Sequence, residues 1–227
     1  MNSLSQKRRL TYSLLVFLTA LFAVLLTLRV ASSQVSDLSQ RVSAKLDRYQ
    51  GAYVSLSKVN PFVVRAAIAS QDDRFFLNPG VDPLSTARAI FQTLRTGNRQ
   101  GASTITEQLA KNAYYHDIDT LKTDIETKWL AILITFRYPK DKIVELYLND
   151  IYYGHGAYGI AQASKKYFNL DPSQLSLWQS AYLIGLINAP GYLDIHPEEA
   201  TQEAKLVLQS MVRNNFISPQ LANAAKP

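Results

Sequence analysis

The stretch Gly101-Ala102-Ser103-Thr104-Ile105-Thr106-Glu107-Gln108-Leu109-Ala110-Lys111-Asn112 decides how the rest of this chain is read. It opens on a glycine, gathers hydroxyls and amides into a few residues, and runs into a helical apolar pattern. Ser103 or Thr104 can cap the helix start, with Thr106 and Glu107 three residues on in the manner of a capping box. The remaining N–H groups and the positive end of the helix dipole then face the same way as the hydroxyls. Lys111 falls two turns past Ser103, near the same face, where one cation can reach what the cap reaches. The pattern suits a cradle for an anionic, hydroxyl-rich ligand. Taken by itself it equally describes an ordinary capped helix with a solvated lysine.

The flanking sequence narrows the class. With 227 residues and 47% hydrophobic content, the chain can bury one globular core and carry an appendage. Leu10 to Leu28 is a run of nineteen residues without a charge. As a helix it spans roughly 28 Å, close to the thickness of a bilayer core. Lys7, Arg8 and Arg9 precede it, which places the N-terminus in the cytoplasm and the remainder outside. A cleaved signal peptide, with Ala31 and Ser33 near the cleavage site, is the competing reading. A secretory apolar region is typically shorter, about 7–15 residues, so the anchor is preferred. The expected division is a tail at 1–9, a transmembrane anchor at 10–31, a juxtamembrane helix or stalk at 32–58, and a catalytic-type domain at 59–227.

There is no cysteine, so neither a disulfide framework nor a thiolate metal site exists. His116, His155 and His196 lack ligand spacing, so no histidine metal site is expected. The formal net charge of +6 falls to +3 without Lys7–Arg9. That suggests mild attraction to anionic lipid head groups. No basic stripe interleaved with aromatics is present, so nucleic acid is not an expected partner.

Val35, Leu38, Val42 and Leu46 recur at helical spacing. Asn60-Pro61 starts a helix through Ser70, Asn78-Pro79-Gly80 breaks the chain, and Pro83 to Leu94 is the next helix. Residues 94–101 form a loop. Helices are expected at about 104–113, 119–136, 140–149, 156–167, 175–187 and 198–215. Few segments alternate with period two. The fold class is all-α. Phe75-Phe76-Leu77, Tyr114-Tyr115 and Trp129 are expected in the core.

Gly101–Asn112 resembles the Gly-Gly-Ser-Thr-Ile-Thr-Gln-Gln-Leu-x-Lys-Asn motif of family 51 glycosyltransferases, the peptidoglycan polymerases. Other motifs follow in that family's order. Asp72-Asp73-Arg74-Phe75, Gly80-Val81-Asp82 and Arg88-Ala89 resemble the first. Tyr138-Pro139-Lys140, Ile143 and Glu145-Leu146-Tyr147-Leu148-Asn149 resemble the end of the third. Ile151-Tyr152-Tyr153-Gly154, Gly156-Ala157-Tyr158-Gly159-Ile160 and Tyr167-Phe168 resemble the fourth. Leu175-Ser176-Leu177, Ala181, Leu183, Gly185-Leu186 and Ala189-Pro190 resemble the fifth. The resemblance covers about residues 60–215. It implies a lysozyme-like all-α domain behind one transmembrane helix. The implied activity joins lipid II into β-1,4 glycan strands and releases undecaprenyl pyrophosphate. The implied partners are lipid II, the nascent glycan strand, the membrane and other cell-wall synthesis proteins. A hydrophobic helix pair beside the groove meets the membrane surface in this family. No cofactor is certain, and a divalent cation, Mg or Mn, stays open.

That reaction needs a base for the acceptor's sugar hydroxyl and donors or cations for the leaving pyrophosphate. The resemblance places Gln71 where the family's general base, a glutamate, begins the first motif. A glutamine amide does not titrate near neutral pH, though it can hydrogen-bond a hydroxyl. Counting back from Tyr138, Thr123 and Asp124 stand at the third motif's basic pair and Thr127 at its glutamate. Glu126 is one residue off, about 100° around a helix. Asp72, Ser103, Thr106, Gln108, Lys111 and Asn112 keep the family's residues and are the candidate substrate contacts. Glu107 replaces a glutamine, bringing a carboxylate, and Ala102 replaces a glycine. Lys111 is the candidate for pyrophosphate. Three functions follow: a lipid II polymerase; a catalytically degenerate member that binds lipid II or glycan or partners an active polymerase; and a glycan hydrolase, which needs two suitably separated carboxylates.

Overall fold

The computed structural model describes residues 2–96, 103–115 and 120–226. Gly101, Ala102, His116 and Asp119 lie outside the described residues, as does most of the loop expected at 94–101. The helices are α1 (Asn2–Ala31), α2 (Leu38–Arg48), α3 (Pro61–Gln71), α4 (Pro83–Thr96), α5 (Ile105–Tyr114) and α6 (Leu121–Arg137). They continue as α7 (Lys140–Asp150), α8 (Gly159–Phe168), α9 (Leu177–Leu186), α10 (Pro190–Leu193), α11 (Pro197–Arg213) and α12 (Pro219–Ala224). Among the described residues the β pairing is one isolated antiparallel bridge, Tyr152 with Tyr158. The all-α expectation holds.

Helix boundaries follow local chemistry. Asn60 accepts the Phe62 N–H at 3.0 Å ahead of Pro61, which needs no donor partner at the first position of α3. Ser176 and Gln179 cap α9 reciprocally, and Thr120 and Thr123 do the same for α6. Within the core α9 packs on α3 and α11, α5 on α6 and α7, and α2 on α7. Gly185 permits the α9–α11 approach, because a Cβ there would stand 3.1 Å from the Ala204 backbone nitrogen.

α1 is long and apolar enough to cross a membrane, and its side chains from Leu14 to Val30 are mostly exposed. The segment 32–58, expected as a separate juxtamembrane helix or stalk, instead packs onto the domain. Val35, Leu38, Val42 and Leu46 are buried in the common core. Burying each contributes roughly 1.5–3 kcal/mol, which a free stalk would forgo. The boundary drawn at 59 is therefore not a packing boundary. Asn149, 1% exposed, mimics a backbone pair by accepting from Val54 N–H and donating to Val54 C=O, both at 2.8 Å. Three aromatic and apolar assignments also change. Phe75 is fully buried, but Phe76, Leu77 and Trp129 are exposed. Apolarity alone did not say which way each would face, in the turn after α3 for Phe76 and Leu77 and on α6 for Trp129.

Candidate active site

The site is assembled around the turn that ends α3. Asp72 leaves the helix and is 7% exposed. Its Oδ2 accepts the Ile105 N–H at 3.2 Å, at the positive end of α5, and its Oδ1 accepts from Asn78 Nδ2 at 2.8 Å. Burial pushes the Asp72 carboxyl up, against the pull of these two donors. Asn78 passes the link on, accepting from Gly80 N–H at 3.0 Å and from Lys140 Nζ at 3.3 Å. Thr104, not Ser103, is the cap of α5: its hydroxyl accepts the Glu107 N–H at 3.0 Å and donates to Gly80 C=O at 2.6 Å. Gly80 has φ of +104°, and a Cβ there would lie 2.3 Å from the Ala131 carbonyl oxygen on α6. A side chain would thus be strained twice, by conformation and by contact. Asp82 starts α4 by accepting from Leu84 and Ser85 N–H at 3.0 and 3.2 Å, and its two oxygens accept from Arg74 Nε and Nη2 along one edge of the guanidinium. Burial raises its carboxyl, but the Arg74 and Ser85 donors outweigh that and hold it well below the usual range.

Gln71 sits at the centre of a directed chain. Tyr147 OH donates to Gln108 Oε1 at 3.1 Å, and Gln108 Nε2 donates to Gln71 Oε1 at 3.2 Å. Gln71 Nε2 donates to Asn188 Oδ1 at 3.1 Å, and Asn188 Nδ2 to Glu203 Oε2 at 2.8 Å. Each amide accepts on one side and donates on the other, so the dipoles align from a buried phenol to a carboxylate. Burial raises the Tyr147 phenol far above its ordinary value, which keeps it a donor. Gln71 therefore has both amide groups engaged and none that titrates.

Two depressions meet at the Gln71–Gln108 link. The larger, about 480 Å³, has Lys45, Arg48 and Lys111 together with Tyr49, Tyr152 and Tyr158. Tyr49 and Tyr158 stack with ring centroids 3.8 Å apart, and Lys45 Nζ bonds Asp150 at 3.0 Å. Gln108 and Asn112 line the same hollow. The smaller, about 200 Å³, is mainly acidic and hydroxylic, with Gln71, Asp72, Asp73, Asp82, Ser103 and Thr104, and one cation, Arg213, in its lining. Cations beside aromatic rings suit phosphates and sugar faces, whereas carboxylates and hydroxyls suit sugar hydroxyls.

The structure thus places Gln71, Asp72 and Ser103 on one hollow and Gln108, Lys111 and Asn112 on the other, rather than Ser103 and Lys111 on one face. Thr106, Glu107 and Thr127 line neither. All three are buried, and Glu107 is 3% exposed. Glu107 Oε2 pairs with Lys128 Nζ at 3.1 Å. Its Oε1 and the hydroxyls of Thr106 and Thr127 have no protein partner among the described residues. Burial pushes the Glu107 carboxyl up despite Lys128. Glu107 therefore does not complete a capping box, because its carboxylate turns to α6 instead. Glu126 is turned outward toward Lys122, 3.7 Å away. Thr123 serves the helix itself, since its hydroxyl accepts the Thr120 N–H at 2.9 Å and closes the start of α6. Asp124 stands in that helix's first turn, where a negative charge is favourable. Lys45, Arg48, Tyr147, Asn188 and Glu203 escaped the sequence reading as site residues. Tyr147 lies within the third-motif stretch and Asn188 adjoins Ala189-Pro190, while Glu203 carries no local signal. Among the described residues no three His, Cys, Asp or Glu side chains converge to hold a metal.

The transglycosylase family model matches residues 39–212, from the start of α2 to the end of α11. This chain belongs to that family, whose domain has a lysozyme-like fold. It is 39% identical over 192 residues to penicillin-binding protein 1A of Aquifex aeolicus, covering 83% of this chain and 26% of the relative. It is 35% identical over 199 residues to penicillin-binding protein 1A/1B of Bacillus subtilis, covering 86% and 22%. Against penicillin-binding protein 1A of Escherichia coli the figures are 39% over 170 residues, 74% and 20%. The chain spans about a quarter or less of the length of these relatives.

Proposed function

We propose that this chain is a membrane-anchored peptidoglycan glycosyltransferase-family domain that binds lipid II and the nascent glycan strand but transfers glycan slowly or not at all. The observation that carries this is Gln71. It stands where the family's base is expected, and its amide is held between Gln108 and Asn188. The acceptor's 4-hydroxyl must lose a proton as it attacks the anomeric carbon, and an amide cannot take it. The cationic hollow with Lys111 offers the pyrophosphate a binding partner, and the hydroxylic hollow offers the sugars donors and acceptors. Thr123, Asp124 and Thr127 leave the leaving-group side without the third motif's cations and glutamate. The chain is thereby suited to hold substrate or to accompany an active cell-wall polymerase. Lys7–Arg9 orient α1 with the domain on the extracytoplasmic face; protease digestion of residues 32–227 in intact spheroplasts tests this.

The main test is labelled lipid II, followed for binding and for polymerisation. Binding without long strands is the expected result. Asp73, exposed on the acidic hollow, favours a second reading in which it takes the proton. Robust polymerisation by the unmodified chain, abolished in Asp73→Asn, would establish that reading and end the first.

A further inference from the structure

The end of α1 and the end of α6 enclose a separate hollow of about 210 Å³, lined by Arg29, Ser32, Phe136 and Arg137. Two of its four lining residues are arginines and none is acidic. Two cations lining one small space are relieved by an anion between them, and phosphate pairs with such cations through charge-assisted hydrogen bonds.

Its height is fixed by the chain. Arg29 directly follows the apolar run Leu10–Leu28. That run is roughly 28 Å long as a helix, against a hydrocarbon core of about 30 Å. Arg29 consequently lies at the level of headgroup phosphates. The hollow is also rigidly framed. Ser32 donates to Arg29 C=O at 2.7 Å, and Val35 is fully buried in the core. Tyr138, next to Arg137, donates to Val35 C=O at 3.0 Å. Exposed Ile125, Trp129 and Phe136 fall within one stripe of α6 beside it, an arrangement of aromatics suited to the interface.

We propose that this hollow binds the phosphate of an anionic phospholipid headgroup and so fixes the domain against the bilayer surface. The proposal rests on α1 spanning the membrane and is independent of the glycan-binding reading. A zwitterionic headgroup brings its own cation toward two guanidiniums, so an anionic one is preferred.

The test uses the full chain in phosphatidylcholine nanodiscs carrying dansyl-labelled phosphatidylglycerol, read by energy transfer from tryptophan. Labelled phosphatidylglycerol should be held in preference to labelled phosphatidylcholine. Arg29→Gln with Arg137→Gln should cut that preference about tenfold. Arg65→Gln with Arg95→Gln removes the same charge from exposed positions elsewhere and should change it by less than about twofold. Arg29→Lys with Arg137→Lys retains the charge and should keep most of the preference, which guards against a folding defect. Equal losses in both glutamine pairs, no loss in the first, loss in the lysine pair, or displacement of the labelled lipid by inorganic phosphate would each overturn the proposal.

Discussion

Replacing Gln71 with glutamate keeps the acceptor that Gln108 Nε2 uses at 3.2 Å but removes the donor that reaches Asn188 Oδ1 at 3.1 Å. Two acceptors then face each other. Asn188 can relieve this by turning its amide end for end. The turn points its carbonyl oxygen at Glu203 Oε2, to which Asn188 now donates at 2.8 Å. Either way one hydrogen bond is lost and one acceptor pair is created. A hydrogen bond to a charged group is worth about 1.5–3 kcal/mol net. Asn188 is exposed, so water recovers part of this and about 1 kcal/mol of destabilisation is expected. Glu203→Gln removes the obstacle, because a neutral amide can donate to the turned Asn188. The two substitutions should therefore be coupled favourably by about 1 kcal/mol in a double-mutant cycle, measured by denaturant unfolding of the four proteins. In lipid II polymerisation, Gln71→Glu should give a partial rescue at most, and the double variant more. A general base is worth roughly 10²–10⁴-fold, and on the proposed reading Thr123, Asp124 and Thr127 offer the leaving group no cation. Strong activity should require Arg, Lys and Glu at those positions as well. Stabilities that add within about 0.3 kcal/mol would refute a chain of amides fixed in direction.

Lys111→Ala should weaken lipid II binding roughly 10- to 100-fold, the loss expected for a charge-assisted hydrogen bond; unchanged affinity in a folded variant would leave α5 as only a capped helix. Glu107 has a raised carboxyl in the folded state, so its contribution to stability is full below the ordinary carboxylate value and is lost as pH rises through the raised one. Melting temperature followed across that window should show this step in the native chain and lose it in Glu107→Gln; an identical pH profile in the variant would contradict the burial argument. Asp82 has the opposite sign: held low when folded, it contributes stability above the ordinary carboxylate value that is lost as pH falls. Asp82→Asn keeps an oxygen that can cap α4 but removes the charged partner of Arg74, so it should cost about 2 kcal/mol at neutral pH and flatten the acid limb of a stability–pH curve. Gly80→Ala should cost more than about 3 kcal/mol, since the new Cβ meets Ala131 C=O and Thr135 Oγ1; a loss below about 1 kcal/mol in denaturant unfolding would show that the turn yields cheaply.

What the sequence disclosed, and what it hid, divides by the range of the interactions. Capping is local, so a cap at Ser103 or Thr104 and the start of α3 at Pro61 could be read directly. Periodicity is also local, and Leu38, Val42 and Leu46 of the stripe correctly announced the amphipathic helix α2, while Val35 ends a separate 3-10 turn before it. It could not name the surface that covers the stripe, which proved to be the domain itself rather than solvent or lipid. The same periodicity contained a correction to the site. Thr106, Ala110 and Ala113 fall on one side of α5 and are all buried, which fits the close approach of α6. Motif matching treats Thr106 as the equal of Gln108 and Lys111, although helical geometry separates it from them; Glu107 shares a face with Lys111 by spacing, and its turn away is seen only in its pairing with Lys128. The amide chain was hidden for a different reason. Gln71 meets Gln108 across 37 residues and Asn188 across 117, separations at which no spacing rule operates. Its direction is set at the Glu203 end, where a carboxylate can only accept, and the protonated Tyr147 phenol donates at the other end. Between such ends neutral amides satisfy every link, while a carboxylate at position 71 leaves one link with two acceptors. Glutamine at position 71 is thus the residue its present neighbours accommodate, and placing a carboxylate there must involve Asn188 and Glu203 as well as residue 71.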